Sequence, residues 1–363
     1  KPAPKLKLIK SSSTQHTSAS TAHFGRTNEV RTYGFARWSY SALSKTLKGD
    51  DDNKDNGNDI VGATDESNDA PVLPPLVSNI NITSDIAKDT MPLYDIAGSS
   101  TFGNAVHEIF DSINPASAQL NEDVYNEVEH RFVNTHSPDQ RAKITEGIIA
   151  SIYAPLGGPF VGNTLHTLGT THRLSELEFN FHLPHSDTGA FSLSEIGALM
   201  LQHGNLDPRL TAYARDIADN PSTITVAGYM TGSIDAVFRM NSETSKPVYV
   251  VADYKTNRLH DPANTEQNPL TRYHPDNLVT SMVKDGYILQ ALVYSVALHR
   301  YLRWRQPGYD PNIHLGGAAY LYIRGMTGHS TDEPTPRPYG VYHWRPATAL
   351  VLALDALFAG KGN

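Results

Sequence analysis

The segment 223–259, TITVAGYMTGSIDAVFRMNSETSKPVYVVADYKTNRL, decides the fold prediction. Two runs of apolar and β-branched residues, 223–240 and 246–259, flank the polar turn NSETS, which predicts an antiparallel hairpin. With the turn near 241–246, Asp235 and Asp253 would lie roughly opposite each other on the two strands. Asp253 and Lys255 are two residues apart, so both side chains would point to one face of the second strand.

Two interpretations of these charges remain open at this point. In the first, the charged side chains form a solvated cluster or a structural ion pair at the end of a strand. In the second, they form a site that binds a ligand between the charges. A simple buried ion pair gains little net stability, because desolvation offsets the attraction. Two close carboxylates also raise each other's pKa unless a cation lies between them. Mg²⁺ would suit such a pair, because it takes oxygen ligands and keeps some of its waters.

The order of the other predicted elements indicates the fold class. Helices are expected from 100 to about 155, then a strand at LSELEFNFHL and two further helices before the hairpin. After it come a single helix of about seven turns at 280–306, a strand at HLGGAAYLYIRGM, a possible strand at GVYHWRP and a closing helix. This order predicts an α/β fold with a central mixed sheet flanked by helices.

The chain divides by composition into three parts. Residues 1–31 are predicted to be a disordered tether. Residues 32–92 are an entry segment with an acidic disordered insertion at 49–70, and residues 93–363 are the main domain. The insertion carries eight acids and one lysine, a net charge of −7 out of the −8 of the whole chain. The rest of the chain is therefore close to neutral, and the overall charge does not argue against a nucleic-acid partner.

Composition also excludes several kinds of site. The chain has no cysteine, so disulfides, zinc–thiolate sites and cysteine-ligated iron–sulfur clusters are excluded, and any metal must be bound by oxygen and imidazole ligands. No Gly-rich loop ending in Gly-Lys-Ser/Thr is present, so this chain carries no P-loop. Neither a membrane span nor a signal sequence is indicated, and a cytoplasmic location is expected.

Three further residues are candidates only in combination with the hairpin. His107, in GNAVHEIF, could be a third metal ligand or an ordinary helix histidine. Gln290 and Tyr294 are four residues apart and would share one helix face. None of the three is specific alone.

Together these motifs resemble a known family. GNAVHEIFD, LSELEF, GSIDAVF, VVADYKTNRL, YILQALVYSVALHRYL and GGAAYLYIRGM occur in the order seen in the RecB nuclease domain, the C-terminal module of the RecBCD helicase–nuclease. This domain is a branch of the PD-(D/E)xK nucleases. The resemblance covers roughly residues 93–360, and WSYSAL at 38–43 looks like the segment that opens such domains. It implies a restriction-endonuclease-like core.

The resemblance also implies roles for individual residues. His107, Asp235, Asp253 and the backbone carbonyl of Tyr254 match the metal ligands of the family, and Lys255 matches its catalytic lysine. Gln290 and Tyr294 match a helix motif beside the active site and the DNA, and Glu176 matches a strand acid near the site. Relatives with a four-cysteine iron–sulfur cluster are excluded by the absence of cysteine.

The implied function is Mg²⁺-dependent cleavage of DNA, of the exodeoxyribonuclease V type, in double-strand break repair and recombination. Mn²⁺ or Ca²⁺ would substitute for Mg²⁺ in vitro. The implied partners are single- and double-stranded DNA ends, RecC- and RecD-like subunits and a helicase motor upstream of Lys1, without a membrane partner. Two alternatives remain: a catalytically inactive nuclease fold that serves as a scaffold or DNA-binding module, and a stand-alone RecB-family exonuclease. Weak DNA binding by this chain alone is expected, because it offers few cationic residues near the predicted site and at the end of the long helix.

Overall fold

The predicted hairpin lies in the middle of a mixed β-sheet. The computed structural model describes residues 37–48, 90–184, 190–220, 225–241, 246–260, 268–331 and 333–361. The strands of this part are β1 (Arg37–Trp38), β2 (Arg173–His182), β3 (Phe191–Ser192), β4 (Thr225–Val226), β5 (Tyr229–Asn241), β6 (Pro247–Lys255), β7 (Leu315–Tyr322) and β8 (Val341–Trp344). Strands β3 and β4 form a separate two-stranded sheet.

The helices account for most of the remaining described residues. They are α1 (Tyr40–Lys48), α2 (Ser100–Ser112), α3 (Leu120–Phe132), α4 (Pro138–Tyr153), α5 (Leu165–Leu168), α6 (Leu193–His203), α7 (Pro208–Ala218), α8 (Pro275–Lys284), α9 (Tyr287–Arg305), α10 (Pro311–His314) and α11 (Thr348–Phe358). Across these helices we find none with both the length and the apolar character that a bilayer span requires.

The sheet order is β1-β5-β6-β7-β8, with β2 on the other edge of β5. Strands β5 and β6 are antiparallel, and Ala236 lies opposite Ala252, so the predicted hairpin and its register are confirmed. Strand β7 is parallel to β6, and the chain between them crosses over through α8 and α9. Strand β8 then runs antiparallel to β7. The predicted α/β class is confirmed. The three adjacent antiparallel strands β2, β5 and β6, the crossover helices and the parallel strand β7 are consistent with a nuclease-like core.

Two hydrophobic layers cover the two faces of the sheet. One layer contains buried residues of α2, α3 and α4 with Ala252 and Tyr254 of β6. The other contains α1, α6, α7, α8, α9 and α11 with Val251 of β6. Alternation along β6 therefore assigns successive residues to opposite layers, as expected for a strand buried on both faces.

The prediction of a single long helix at 280–306 is wrong. The chain breaks at Gly286, whose φ of 80° lies in the left-handed region, and α8 ends before it while α9 begins after it. A side chain is disfavoured in this conformation, whereas glycine adopts it readily. The pattern of apolar residues continues through the break, so periodicity alone did not reveal it.

The entry segment joins the sheet where the structure describes it. Strand β1 pairs in parallel with β5, and the Trp38 indole N–H donates to the Ala227 carbonyl at 2.9 Å. The Tyr40 hydroxyl donates to the Asp285 carbonyl at 2.8 Å, which attaches α1 to the junction of α8 and α9. Residues 37–48 thus pack with the main domain. The predicted tether at 1–31 and acidic insertion at 49–70 lie outside the described residues.

Candidate active site

Asp253 and Lys255 form a buried ion pair at the end of β6. The Lys255 Nζ lies 2.8 Å from Asp253 Oδ2, and the side chains are 5% and 2% exposed. Strand alternation turns both toward the layer that contains α9, and Lys255 Nζ lies 4.0 Å from the centre of the Tyr287 ring and 5.7 Å from that of Tyr320. The interpretation as a solvated strand end is therefore wrong.

Asp235 lies on the neighbouring strand and makes two contacts. Its Oδ2 accepts a hydrogen bond from the Tyr254 backbone N–H at 2.8 Å, between the two members of the ion pair. The same oxygen lies 3.3 Å from Nδ1 of His107, which α2 supplies from the opposite layer. The Ser99 hydroxyl caps α2 by accepting from the Phe102 N–H at 3.0 Å, so this helix has a defined start two turns before His107.

The backbone is irregular where Asp235 lies. Ile234 packs in the α9 layer whereas Ala236 packs in the α2 layer, so the alternation of faces along β5 changes phase between them. On β2 the opposing residue is Glu176, whose φ of 46° is in the left-handed region that residues other than glycine rarely adopt. Such outliers are common at functional sites. Hydrophobic alternation gave no signal for this irregularity.

Burial and mutual attraction shift the pKa values of these groups. Burial disfavours the charged form of His107, but the charge and hydrogen bond of Asp235 outweigh it and raise the pKa of the imidazole to about 9. Burial raises the pKa of Asp253 to about 7, against the opposing effect of Lys255 and with a further increase from Asp235. The pKa of Asp235 is lowered, because His107 and Lys255 together outweigh its burial. The four groups thus interact as one electrostatic unit.

Glu176 belongs to the edge of this unit. The Ser233 hydroxyl donates to Glu176 Oε2 at 2.7 Å. Burial, partly offset by this hydrogen bond, raises the pKa of the carboxyl, and the negative charge of Asp235 raises it further. Its placement opposite Asp235 agrees with a strand acid near the site, and its role stays a prediction.

Gln290 and Tyr294 lie inside α9 and are buried. The Gln290 amide donates to the Tyr294 hydroxyl at 3.2 Å, as the four-residue spacing predicts. The Tyr294 ring meets Phe179 of β2 edge-on, with the ring centres 5.9 Å apart. Their contact with DNA stays a prediction. Tyr287 of α9 contacts the site through Lys255, and sequence reasoning missed it because no spacing rule identifies a cation–aromatic contact.

The donor set fits a hard divalent cation. Asp235 and Asp253 offer carboxylate oxygens and His107 an imidazole, and the burial of these side chains makes two uncompensated negative charges unfavourable. The Tyr254 carbonyl remains a predicted ligand. The ligand atoms of His107, Asp235 and Asp253 do not all lie within 4.8 Å of one another, so closing around one ion requires at least one side chain to shift.

A different cluster of three potential ligands is tighter, but an arginine already pairs with its two carboxylates. Among the described residues, His274, Asp276 and Glu333 alone bring three such atoms within 4.8 Å of one another. However, the Arg337 guanidinium donates to both oxygens of Asp276 at 2.9 and 3.0 Å and also to Glu333. His274 Nδ1 in turn accepts from the Asp276 N–H as the cap of α8. This cluster is therefore a structural ion-pair network.

Comparison with known proteins identifies homologues of the chain. No protein-family model matches it. It is 32% identical over 327 residues, 88% of its length, to the RecBCD enzyme subunit RecB of Mycolicibacterium smegmatis, and 34% identical over 281 residues, 74% of its length, to that of Mycobacterium tuberculosis. The Escherichia coli RecBCD enzyme subunit RecB is 33% identical over 217 residues, 60% of the chain.

The match covers only part of each relative. The chain spans 29%, 24% and 16% of the length of these three proteins, respectively. The matching region is their C-terminal portion.

Proposed function

Since the chain belongs to the RecB family, we propose that it is the nuclease domain of a RecB-type helicase–nuclease and hydrolyses phosphodiester bonds of DNA with Mg²⁺. The observation that carries this proposal is the meeting of His107, Asp235 and the buried Asp253–Lys255 pair at one end of the hairpin. A purely structural ion pair would not require an imidazole and a second carboxylate from two other elements beside it.

Each group has a distinct part in the proposed reaction. His107, Asp235 and Asp253 would hold the cation, and bound Mg²⁺ would supply charge neutralisation at the scissile phosphate and a lowered pKa of the attacking water. The His107 imidazole would act as a ligand in its neutral form, because only the neutral ring coordinates a metal. The Lys255 ammonium, which lies beside Asp253, would orient the water or stabilise negative charge on the phosphate.

The assembly follows from the same relationship. In the repair of double-strand breaks, a helicase motor in the full-length protein would deliver DNA ends to this domain. RecC- and RecD-like subunits would belong to the same assembly. Contacts with the phosphate backbone would dominate, so little sequence specificity is expected within this domain. An exodeoxyribonuclease V type of activity belongs to that assembly.

Replacement of Lys255 by methionine tests this function. Methionine keeps an apolar side chain against Tyr287 and removes only the ammonium group. We expect cleavage of labelled single-stranded DNA to fall at least about 100-fold, a typical loss for one electrostatic group at a reacting centre. DNA affinity should stay within about twofold, because one phosphate contact contributes little to the total.

The stability of Lys255→Met separates the alternatives. Asp253 already has a pKa of about 7, so it can take up a proton instead of remaining as an unpaired buried charge. The melting temperature should therefore fall by only a few degrees, equivalent to about 1 kcal/mol. The exposed Lys246→Met is the matched control and should change neither property. If the wild-type chain binds DNA but does not cleave it with Mg²⁺, the inactive-scaffold alternative is correct.

A further inference from the structure

Arg324 is a buried cation that follows β7. Only 1% of its surface is exposed, and it is among the largest fully buried side chains of the described residues. Burying a guanidinium is costly unless its N–H groups have acceptors. Arg324 donates to four backbone carbonyls: Nε to Thr256 at 2.7 Å, one terminal nitrogen to Leu93 at 2.7 Å and Ile96 at 2.8 Å, and the other to Ala97 at 3.4 Å.

These carbonyls belong to two segments far apart in sequence. Thr256 directly follows Lys255 at the end of β6. Leu93, Ile96 and Ala97 belong to the segment 93–97, which leads into the Ser99 cap of α2. The guanidinium carbon also lies 5.1 Å from the centre of the Phe102 ring in the first turn of α2. Arg324 therefore connects the strand of the Asp253–Lys255 pair with the helix of His107.

We propose that Arg324 is a positioning residue of the active site, whose guanidinium sets the distance between α2 and the end of β6 and thereby holds His107 at Asp235. The proposal rests on the metal site of the proposed function and adds a residue that acts on it through α2 and the end of β6. The geometry explains why an arginine stands there. Its planar fork offers five N–H donors in fixed directions, whereas a lysine ammonium offers three and cannot reach acceptors on both segments at once.

The segment 93–97 has a second anchor that limits the damage when Arg324 is changed. His260 Nε2 bonds the Tyr94 carbonyl at 2.9 Å, and the two rings stack with their centres 4.5 Å apart. This anchor should keep the segment on the domain in Arg324→Lys while its exact spacing from β6 is lost. Loss of a positioning contact behind a metal ligand typically lowers metal affinity 10- to 100-fold.

The test compares Arg324→Lys with Arg209→Lys. The Arg209 guanidinium joins α7 to α8 by donating to the Asp276 carbonyl at 2.7 Å, so its replacement also removes an arginine bridge between segments, but in the layer on the other face of the sheet from α2. Two quantities are measured at a temperature where each variant is fully folded: Mn²⁺ affinity by calorimetry, and hydrogen exchange of the amides of residues 93–112. Arg324→Lys should lower Mn²⁺ affinity roughly 10-fold and speed exchange of 93–112, whereas Arg209→Lys should change neither.

Several outcomes decide the proposal. Faster exchange in 93–112 with unchanged Mn²⁺ affinity would show that Arg324 has only a structural role, and this result would overturn the proposal. Unchanged exchange in 93–112 would overturn the proposal as well. If Arg324→Lys does not fold, the same measurements are made on Phe102→Leu, which removes the ring above the guanidinium but keeps an apolar side chain. We then expect a several-fold loss of Mn²⁺ affinity. An unchanged Mn²⁺ affinity would overturn the proposal. If the wild-type chain does not bind Mn²⁺, the proposed function fails, and the exchange measurement still decides whether Arg324 holds α2.

Discussion

At the scale of single residues, Lys255 is defined by the aromatic rings around it. Its ammonium lies over the Tyr287 ring, and the Tyr320 hydroxyl bonds the Tyr287 carbonyl at 3.1 Å, so α9 and β7 both fix this platform. An aromatic face stabilises a cation that is shielded from water, by about 2 kcal/mol. Tyr287 therefore helps to keep a charged lysine inside the domain and aimed at the site.

The contributions of the Tyr287 ring and of its hydroxyl group can be separated by mutation. Tyr287→Phe keeps the ring and loses the hydroxyl, which bonds the Asn257 amide at 3.1 Å. Tyr287→Leu loses both. We expect the leucine variant to lose roughly 10-fold in kcat, the equivalent of a cation–aromatic contact, and the phenylalanine variant to stay within about threefold of wild type. Steady-state cleavage of DNA with saturating Mg²⁺ measures kcat for both variants. Equal losses of kcat would show that the contact between the ring face and Lys255 does not determine the rate.

The residue types of the site could be predicted from the sequence, but their environment could not. The spacing of Asp253 and Lys255 placed them on one face, and the hairpin placed Asp235 on the adjoining strand. Their burial depends on Tyr287 and Tyr320, which arrive from distant parts of the chain without a recognisable pattern. For the same reason no sequence pattern indicates Arg324, because the backbone carbonyls to which it donates carry no side-chain signature.

At the scale of elements, the junction of α8 and α9 positions the helix that covers Lys255. A Cβ atom on Gly286 would lie 2.5 Å from the Ser44 hydroxyl of α1 and 3.2 Å from the Tyr40 hydroxyl. The left-handed backbone and the close approach of α1 both require glycine here. Sequence periodicity missed this break because apolar residues flank it on both sides.

Two glycine substitutions distinguish the backbone cost from the packing cost. Gly308 has a φ of 65° with open space around its Cβ position, whereas Gly286 combines a φ of 80° with the contact to α1. Gly308→Ala should cost about 1 kcal/mol from the left-handed conformation alone. Gly286→Ala should cost about 1–3 kcal/mol more, the usual cost of overpacking. Denaturant unfolding measures the free energy of unfolding of both variants. Equal losses of stability would mean that α1 shifts away from the new side chain without a cost in free energy.

Helix α11 is attached to α9 by Asp355. Its carboxylate accepts hydrogen bonds from Arg300 and Arg303, with Arg303 at 3.1 Å. Burial alone would raise the pKa of Asp355, but Arg300 and then Arg303 outweigh it and hold the pKa below its ordinary value. A lowered pKa in the folded state means that this contribution to stability is present above the ordinary pKa of 3.8 and is lost as the pH falls through the folded value.

Asp355→Asn should therefore show a pH-dependent loss of stability. At pH 7 we expect a loss of about 1–3 kcal/mol, typical of hydrogen bonds to a charged group. As the pH falls below the ordinary pKa toward the lower folded value, the difference from wild type should shrink, because the carboxyl of the unfolded chain takes up a proton first and that of the folded chain follows. Denaturant unfolding from pH 7 to pH 3 measures it, with the exposed Asp216→Asn as control. A constant difference across this range would assign the loss to packing instead of charge.

At the scale of the whole molecule, the distribution of cations favours delivery of DNA by a partner over strong binding by this chain. Lys255 is buried, and Arg300 and Arg303 are engaged by Asp355, so three of the cationic side chains expected near DNA are already committed within the fold. Non-specific affinity depends on the number of phosphates neutralised. We therefore expect this chain alone to bind DNA weakly and with strong dependence on salt.

The position of a bound Mn²⁺ ion is the sharpest test of the proposed metal site. Crystals of the chain soaked in Mn²⁺ offer the ion two clusters, the proposed site and the His274–Asp276–Glu333 network that pairs with Arg337. We expect one anomalous peak within coordination distance of Asp235, Asp253 and His107, about 2.0–2.6 Å from their ligand atoms, with Asp253 turned from Lys255 toward the ion. A peak at the Arg337 network, or no peak with His107 still paired to Asp235, would show that the proposed metal site is wrong.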